Sequence, residues 1–147
     1  MTIRPMVISD YPQLRALWQE ITDKTFESPS CESFSAFLER NPTTCYVAEL
    51  GGMIVGSIIV GHDSLTAILY HRFVGILFKH RGIEAALQNT VIRALYQAHV
   101  RSLLYLGHRL PDASSGEDGF TANPDQMPYF IDIEAAYPML PREDRIC

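Results

Sequence analysis

Lys79, His80, Arg81 and Gly82 stand between an apolar, β-branched run and the longest helical periodicity in the chain. That placement suits anion binding. The first backbone N–H groups of a helix lack intrahelical acceptors, and the helix dipole adds partial positive charge there. Flanking cations strengthen the field, and a glycine lets a phosphate approach the backbone. Taken alone, the triplet also suits a solvated turn whose charges point into water. His71 lies in the middle of an apolar strand-like run, where an imidazole can take up a proton near neutrality and serve as a catalytic base. The plainer reading is a partly buried, hydrogen-bonded strand histidine. Glu20 and Glu49 offer carboxylates that nothing in their spacing separates from surface charges. His62-Asp63 reads as a capped turn, and Tyr70 and Tyr105 as core or cleft aromatics. Cys31, Cys45 and Cys147 are odd in number and far apart, and no His or basic partner accompanies them in a motif. This pattern argues against a disulfide framework, a Cys-x-x-Cys metal site and a covalent thiol intermediate.

Hydrophobic periodicity supplies the elements that must position these groups. Residues 2–8 read as a short strand with Pro5 at a sheet edge. Leu14, Leu17, Trp18 and Ile21 form one stripe of a helix from about Tyr11 to Asp23, capped by Ser9 or Asp10. Phe34, Phe37 and Leu38 share a face of a second short segment, ended by Asn41-Pro42, that is either core or a lid over an acceptor site. Two apolar runs around Gly51-Gly52 predict a β-hairpin, and residues 66–78 a third strand, making an antiparallel meander. Ile83, Leu87, Val91, Ala94, Leu95 and Ala98 recur at helical spacing, and residues 102–110 read as a strand returning parallel to the sheet. The expected fold is therefore α/β, a mixed central sheet flanked by helices, with its core in residues 1–110.

Composition narrows the function classes. At 147 residues and 47% apolar, with 12 Lys or Arg against 17 Asp or Glu, the chain fits one globular domain. Residues 1–110 are nearly balanced in charge, whereas residues 111–147 hold two Arg against eight acids and five of the nine prolines. No basic stripe exists to bind nucleic acid. No run of about 18 uncharged apolar residues exists to span a bilayer, and the N-terminal residues lack a secretory pattern, so a cytoplasmic protein is expected. The segment 111–147 is expected to be partly ordered or to complete the sheet. YFIDIEAAY, its one apolar stretch, reads as a late strand, a sheet edge or a partner-binding segment.

In order of elements and in several motifs, residues 2–100 resemble the GNAT superfamily of acetyltransferases. The resemblance rests on Ile3, Arg4, Pro5, Asp10, Leu14, Leu17 and Trp18 at the start. It continues through Tyr46, Val47, Ala48, Glu49 and Gly52, then Ile54 to Ile58, then Gly61-His62-Asp63, and Tyr70 through Leu87 align without gaps onto the family's acetyl-CoA signature. It implies acetyl-CoA as co-substrate and transfer of acetyl by direct attack of a small-molecule or peptide amine. Backbone at Phe73 and Val74 would pair with the pantetheine arm, and Lys79, His80, Arg81, Gly82, Ile83 and Glu84 would wrap the pyrophosphate. Departures exist: Lys79 stands for the family's first Arg, His80 for its first loop Gly, and Glu84 for its third Gly or Ala. Gly75, Ile76 and Leu77 replace its His-Pro-Asp turn. The family's Asn, short helix and acidic Tyr after the returning strand find no match, since Pro124 and Pro128 interrupt Asn123 and Tyr129. Residues 102–110 also resemble the closing strand of some short members. The rival expectation is a catalytically silent relative that senses CoA or binds another protein, including a second copy of itself as a homodimer.

Overall fold

Gly51 and Gly52 both adopt positive φ, +57° and +79°, the handedness that a two-residue hairpin turn demands and that glycine reaches without Cβ strain. They join β2 (Cys45–Leu50) to β3 (Met53–His62) in the computed structural model, which describes residues 1–21, 27–105, 121–123 and 126–141. β1 (Thr2–Pro5) pairs antiparallel with β2, and β4 (Thr66–Val74) with β3. A long helix, α3 (Ile83–Gln97), then crosses to β5 (Ser102–Tyr105), which runs parallel to β4. β7 (Gln126–Asp132) lies antiparallel to β5, with β6 (Thr121–Asn123) outside it, giving the order β1-β2-β3-β4-β5-β7-β6. The meander and the parallel crossover are those the sequence predicts.

Two apolar layers sandwich this sheet because neighbouring strand residues face opposite ways. Ala48, Val55, Ile58 and Val60 join Leu87, Val91 and Leu95 of α3 in one layer. Val47, Ile54 and Ile59 join Leu14, Leu17 and Trp18 of α1 (Tyr11–Trp18), and Phe34 of α2 (Cys31–Arg40), in the other. Every residue of β3 from Ile54 to Gly61 is buried, which is why it reads as a continuous apolar run rather than an alternating one. Trp18 is 2% exposed, and its Nε1 donates to Ser57 Oγ at 3.0 Å, so burying the indole leaves no polar atom unmatched. At the N-terminus Arg4 donates to both carboxylate oxygens of Asp10, at 2.9 and 2.8 Å, tying β1 to the start of α1. Among the described residues no helix is long and apolar enough to cross a membrane.

Gly56 sets how closely α3 can approach. A Cβ at this position would stand 3.2 Å from Val74 Cγ2 and 3.3 Å from both Ile83 Cγ2 and Leu87 Cδ1. Gly56→Ala is expected to cost about 1–2 kcal/mol by overpacking, read as a lower urea midpoint. An unchanged midpoint would mean that the start of α3 is not held against the sheet here.

Several boundaries differ from the sequence expectation. The first strand stops at Pro5 and residues 8–10 form a 3₁₀ turn, because Asp10 accepts the Val7 N–H at 2.9 Å while holding Arg4. α1 ends at Trp18, short of Asp23, and residues 22–26 lie outside the described residues. β4 ends at Val74 rather than Phe78, since residues 76–78 make a second 3₁₀ turn. The likeness of residues 102–110 to a closing strand is corrected: β5 is an interior strand with β7 and β6 beyond it, and residues 106–110 lie outside the described residues. YFIDIEAAY divides between β7 and a one-turn helix, α4 (Ile133–Ala136), that Asp132 caps through the Ala135 N–H.

Candidate functional site

β4 pairs with β3 from Ala67 to Val74 but with β5 only from Thr66 to Leu69. Among the described residues, its edge on the β5 side therefore has no strand partner from Tyr70 to Val74. The parting begins at a bulge. Val60 pairs with Leu69 and Ile59 with His71, leaving Tyr70 as the extra residue. A bulge re-aims the side chains that follow it. Tyr70 meets Phe37 edge-on at 5.4 Å, and His71 turns to the same face, 6.1 Å from the Trp18 ring and stacked on Phe73 at 5.9 Å. His71 is 9% exposed. Burial pulls its pKa from 6.5 to about 4, so the ring is neutral at pH 7.

Past the bulge, Arg72 and Val74 face α3. Val74 is fully packed in that core and Phe73 sits under His71, so both side chains are occupied and backbone is what this edge can offer a ligand. Gly75 then turns the chain: its N–H donates to Val55 O at 2.9 Å, Phe78 N–H to Gly75 O at 2.8 Å, and Ile76 N–H to a Glu20 carboxylate oxygen at 3.1 Å. Lys79 is extended, His80 has φ +64°, and Gly82 caps α3 with φ +80°. All four residues from Lys79 to Gly82 are exposed, and the Arg81 guanidinium lies 5.3 Å above the Phe78 ring. No heavy atom lies within 4 Å of where a Cβ on Gly82 would stand.

The first helical bond of α3 is Ala86 N–H to Gly82 O, at 3.0 Å. The amides of Ile83, Glu84 and Ala85 precede it and open at the helix end. Ile83 itself is buried beneath the helix, and the Glu84 carboxylate turns toward Arg72, 4.0 Å away. The structure thus brings Phe73, Val74, the loop 79–82 and the first turn of α3 together at one end of β4, with His71 on the opposite face of the strand from α3.

The other candidates have local duties. Glu49 pairs with Arg4 at 3.4 Å. Asp63 accepts the N–H groups of Leu65 and Thr66 at 2.9 and 2.8 Å, the capped turn that His62-Asp63 suggests. Tyr105 packs against the α3 core. Cys45 is buried and its thiol is pushed up to about 12, while Cys31 is exposed and Cys147 lies outside the described residues. No group of three or more His, Cys, Asp or Glu among the described residues could hold a metal ion. Sequence reasoning missed Arg72 and Gln88, which are hydrogen-bonded between β4 and α3. The available signal was Gln88, a polar residue on the buried stripe of α3 beside Leu87, Val91 and Ile92.

No protein-family model and no curated protein matches the sequence. Solved structures do. Ard1 from Thermoplasma volcanium superposes with a TM-score of 0.70 at 18% identity over 83% of each chain. PaiA N-acetyltransferase from Thermoplasma acidophilum, in complex with coenzyme A, gives 0.70 at 14% identity over 90% of this chain and 99% of that one. The GNAT-like decarboxylase GphF, with isobutyryl-CoA, gives 0.65 at 16% identity over 81% and 71%. With the strand order and the parallel crossover, these likenesses show that the chain has the GNAT fold.

Proposed function

We propose that this chain binds acetyl-CoA and transfers the acetyl group to an amine by direct attack. The observation that supports it most is the meeting, at one end of β4, of an edge that has no strand partner among the described residues and a helix N-terminus flanked by the cations Lys79 and Arg81. A pantetheine arm carries amides that can add to the open edge as a further strand would. A diphosphate suits the amides of Ile83, Glu84 and Ala85, with Lys79 and Arg81 neutralising its charge and His80 beside them as a hydrogen-bond donor. The open space at Gly82 leaves room for it. When bound, acetyl-CoA supplies an activated acyl group. His71 is the proposed base: being neutral at pH 7, it is already in the proton-accepting form. Cys45 stays a thiol under these conditions, which favours a route without an acyl-enzyme. Coenzyme A in PaiA and isobutyryl-CoA in GphF support the co-substrate class. The acceptor in this reading is a small-molecule or peptide amine.

One observation favours a second reading, a catalytically silent CoA-binding module. Residues 106–120, which follow β5, contain no Tyr to protonate a departing thiolate. Thermal unfolding with acetyl-CoA, paired with detection of free CoA thiol over a panel of amines, separates the two. At a hundredfold excess over Kd, binding should raise Tm by on the order of 5 °C. An unmoved Tm at millimolar ligand removes both readings. A raised Tm with no thiol release on any amine selects the silent module.

A further inference from the structure

Arg72 projects from β4 to the side where α3 begins. Its Nη1 donates to Gln88 Oε1, and its Nη2 stands 4.0 Å from a Glu84 carboxylate oxygen. Glu84 and Gln88 are four residues apart, so they share one face of the helix. The Arg72 side chain is 8% exposed and Gln88 5%. A guanidinium buried to this degree needs hydrogen bonds and a counter-charge. Gln88 supplies a hydrogen bond without charge, and Glu84 supplies the carboxylate.

Glu84 sits in the first turn of α3, beside the amides that open at the helix end. Turned over those amides, its carboxylate would compete for their N–H groups and repel an anion. Turned toward β4, it neutralises Arg72 and leaves them open. Arg72 lies too deep to meet an incoming diphosphate itself. We propose that Arg72 is a positioning residue for the anion loop: by holding the Glu84 carboxylate against β4, it keeps the first amides of α3 available to a diphosphate. This rests on the coenzyme reading given above.

Titration calorimetry with CoA on the full chain tests it. Arg72→Gln releases the carboxylate and should weaken CoA about tenfold, with KM for acetyl-CoA rising while kcat holds. Adding Glu84→Gln to Arg72→Gln removes the released carboxylate, and the double variant should return to within about twofold of the parent. The Arg72→Gln defect should shrink as salt rises, which a merely structural loss would not do. Unchanged binding in Arg72→Gln, no recovery in the double variant, or a tenfold tightening in Glu84→Gln each overturns the proposal. Should circular dichroism show Arg72→Gln unfolded, Arg72→Lys decides the matter: it keeps the charge that holds Glu84 and should bind within about twofold, and a tenfold loss would overturn the proposal. A parent chain that binds no CoA at millimolar concentration refutes the coenzyme reading and this proposal with it. A parent that binds CoA, with an Arg72→Gln variant that folds and binds it equally well, refutes this proposal alone.

Discussion

Acidification from pH 6.5 to about 4 is expected to remove about 3 kcal/mol of folding stability through His71 alone. The ring lies between Trp18 and Phe73, and burial lowers its pKa from 6.5 to about 4. Above pH 6.5 the imidazole is neutral in both folded and unfolded chains and contributes no pH dependence. Between 6.5 and about 4 the unfolded chain binds a proton that the native chain refuses, so stability falls by roughly 1.4 kcal/mol per pH unit. Below that window both forms are protonated and the loss is constant. Such a loss is a sizeable share of the roughly 5–15 kcal/mol that holds a domain together. Asp10 works in a lower window. Burial raises its carboxyl pKa, but the Arg4 and Val7 hydrogen bonds and the Arg4 charge outweigh this and hold it below its ordinary value. Its contribution therefore fades only under strongly acidic conditions. Urea unfolding of the parent and of His71→Phe across pH 4 to 7 is the measurement. The parent should slope and the variant should be nearly flat; equal slopes would mean that His71 is not held neutral by the fold. The same low pKa predicts that any acetylation rate shows no His71 inflection near pH 6.5, and a bell whose acid limb centres there would exclude His71 as the base.

Arg81→Glu is expected to weaken CoA binding about 100-fold, the cost of replacing a charge-assisted contact with a like charge beside a diphosphate. The fold should tolerate it. Arg81 is exposed and its described contact is the Phe78 ring, a cation–π pair worth about 0.5–1 kcal/mol at such a site. Tm should therefore move little while affinity collapses, and the gap between parent and variant should narrow at high salt. Unchanged affinity would take the loop from Lys79 to Gly82 out of the binding site, however well the open edge of β4 suits a pantetheine arm.

Some of this site can be seen in the residues before any fold is drawn. Ile83, Leu87, Val91 and Leu95 keep one helical period over four turns, and Gly51-Gly52 demands a turn by its own conformational freedom, so α3 and the hairpin need no tertiary help to be recognised. Gly82, between Lys79-His80-Arg81 and that helix, marks the loop proposed to take an anion for the same local reason. Elsewhere the residues carry no such mark. Ile76, Leu77 and Phe78 have the composition of a strand, and what ends β4 is a set of hydrogen bonds to Val55, Glu20 and Gly75, the first two distant in the chain. Which residue of β4 bulges depends on its register with β3, and the bulge at Tyr70 is what sends His71 into the Trp18 layer and Arg72 toward α3.

Local periodicity and turn chemistry thus settled the order of elements through the crossover and the place of the Lys79–Gly82 loop before α3, because those preferences act within a few residues. The tertiary structure decided the seating of β7 between β5 and β6, the burial that holds His71 neutral, and the pairing of Glu84 with Arg72 rather than with its own helix amides. Each of these arises from contact between segments far apart in the chain, where packing and charge outweigh what any single stretch prefers.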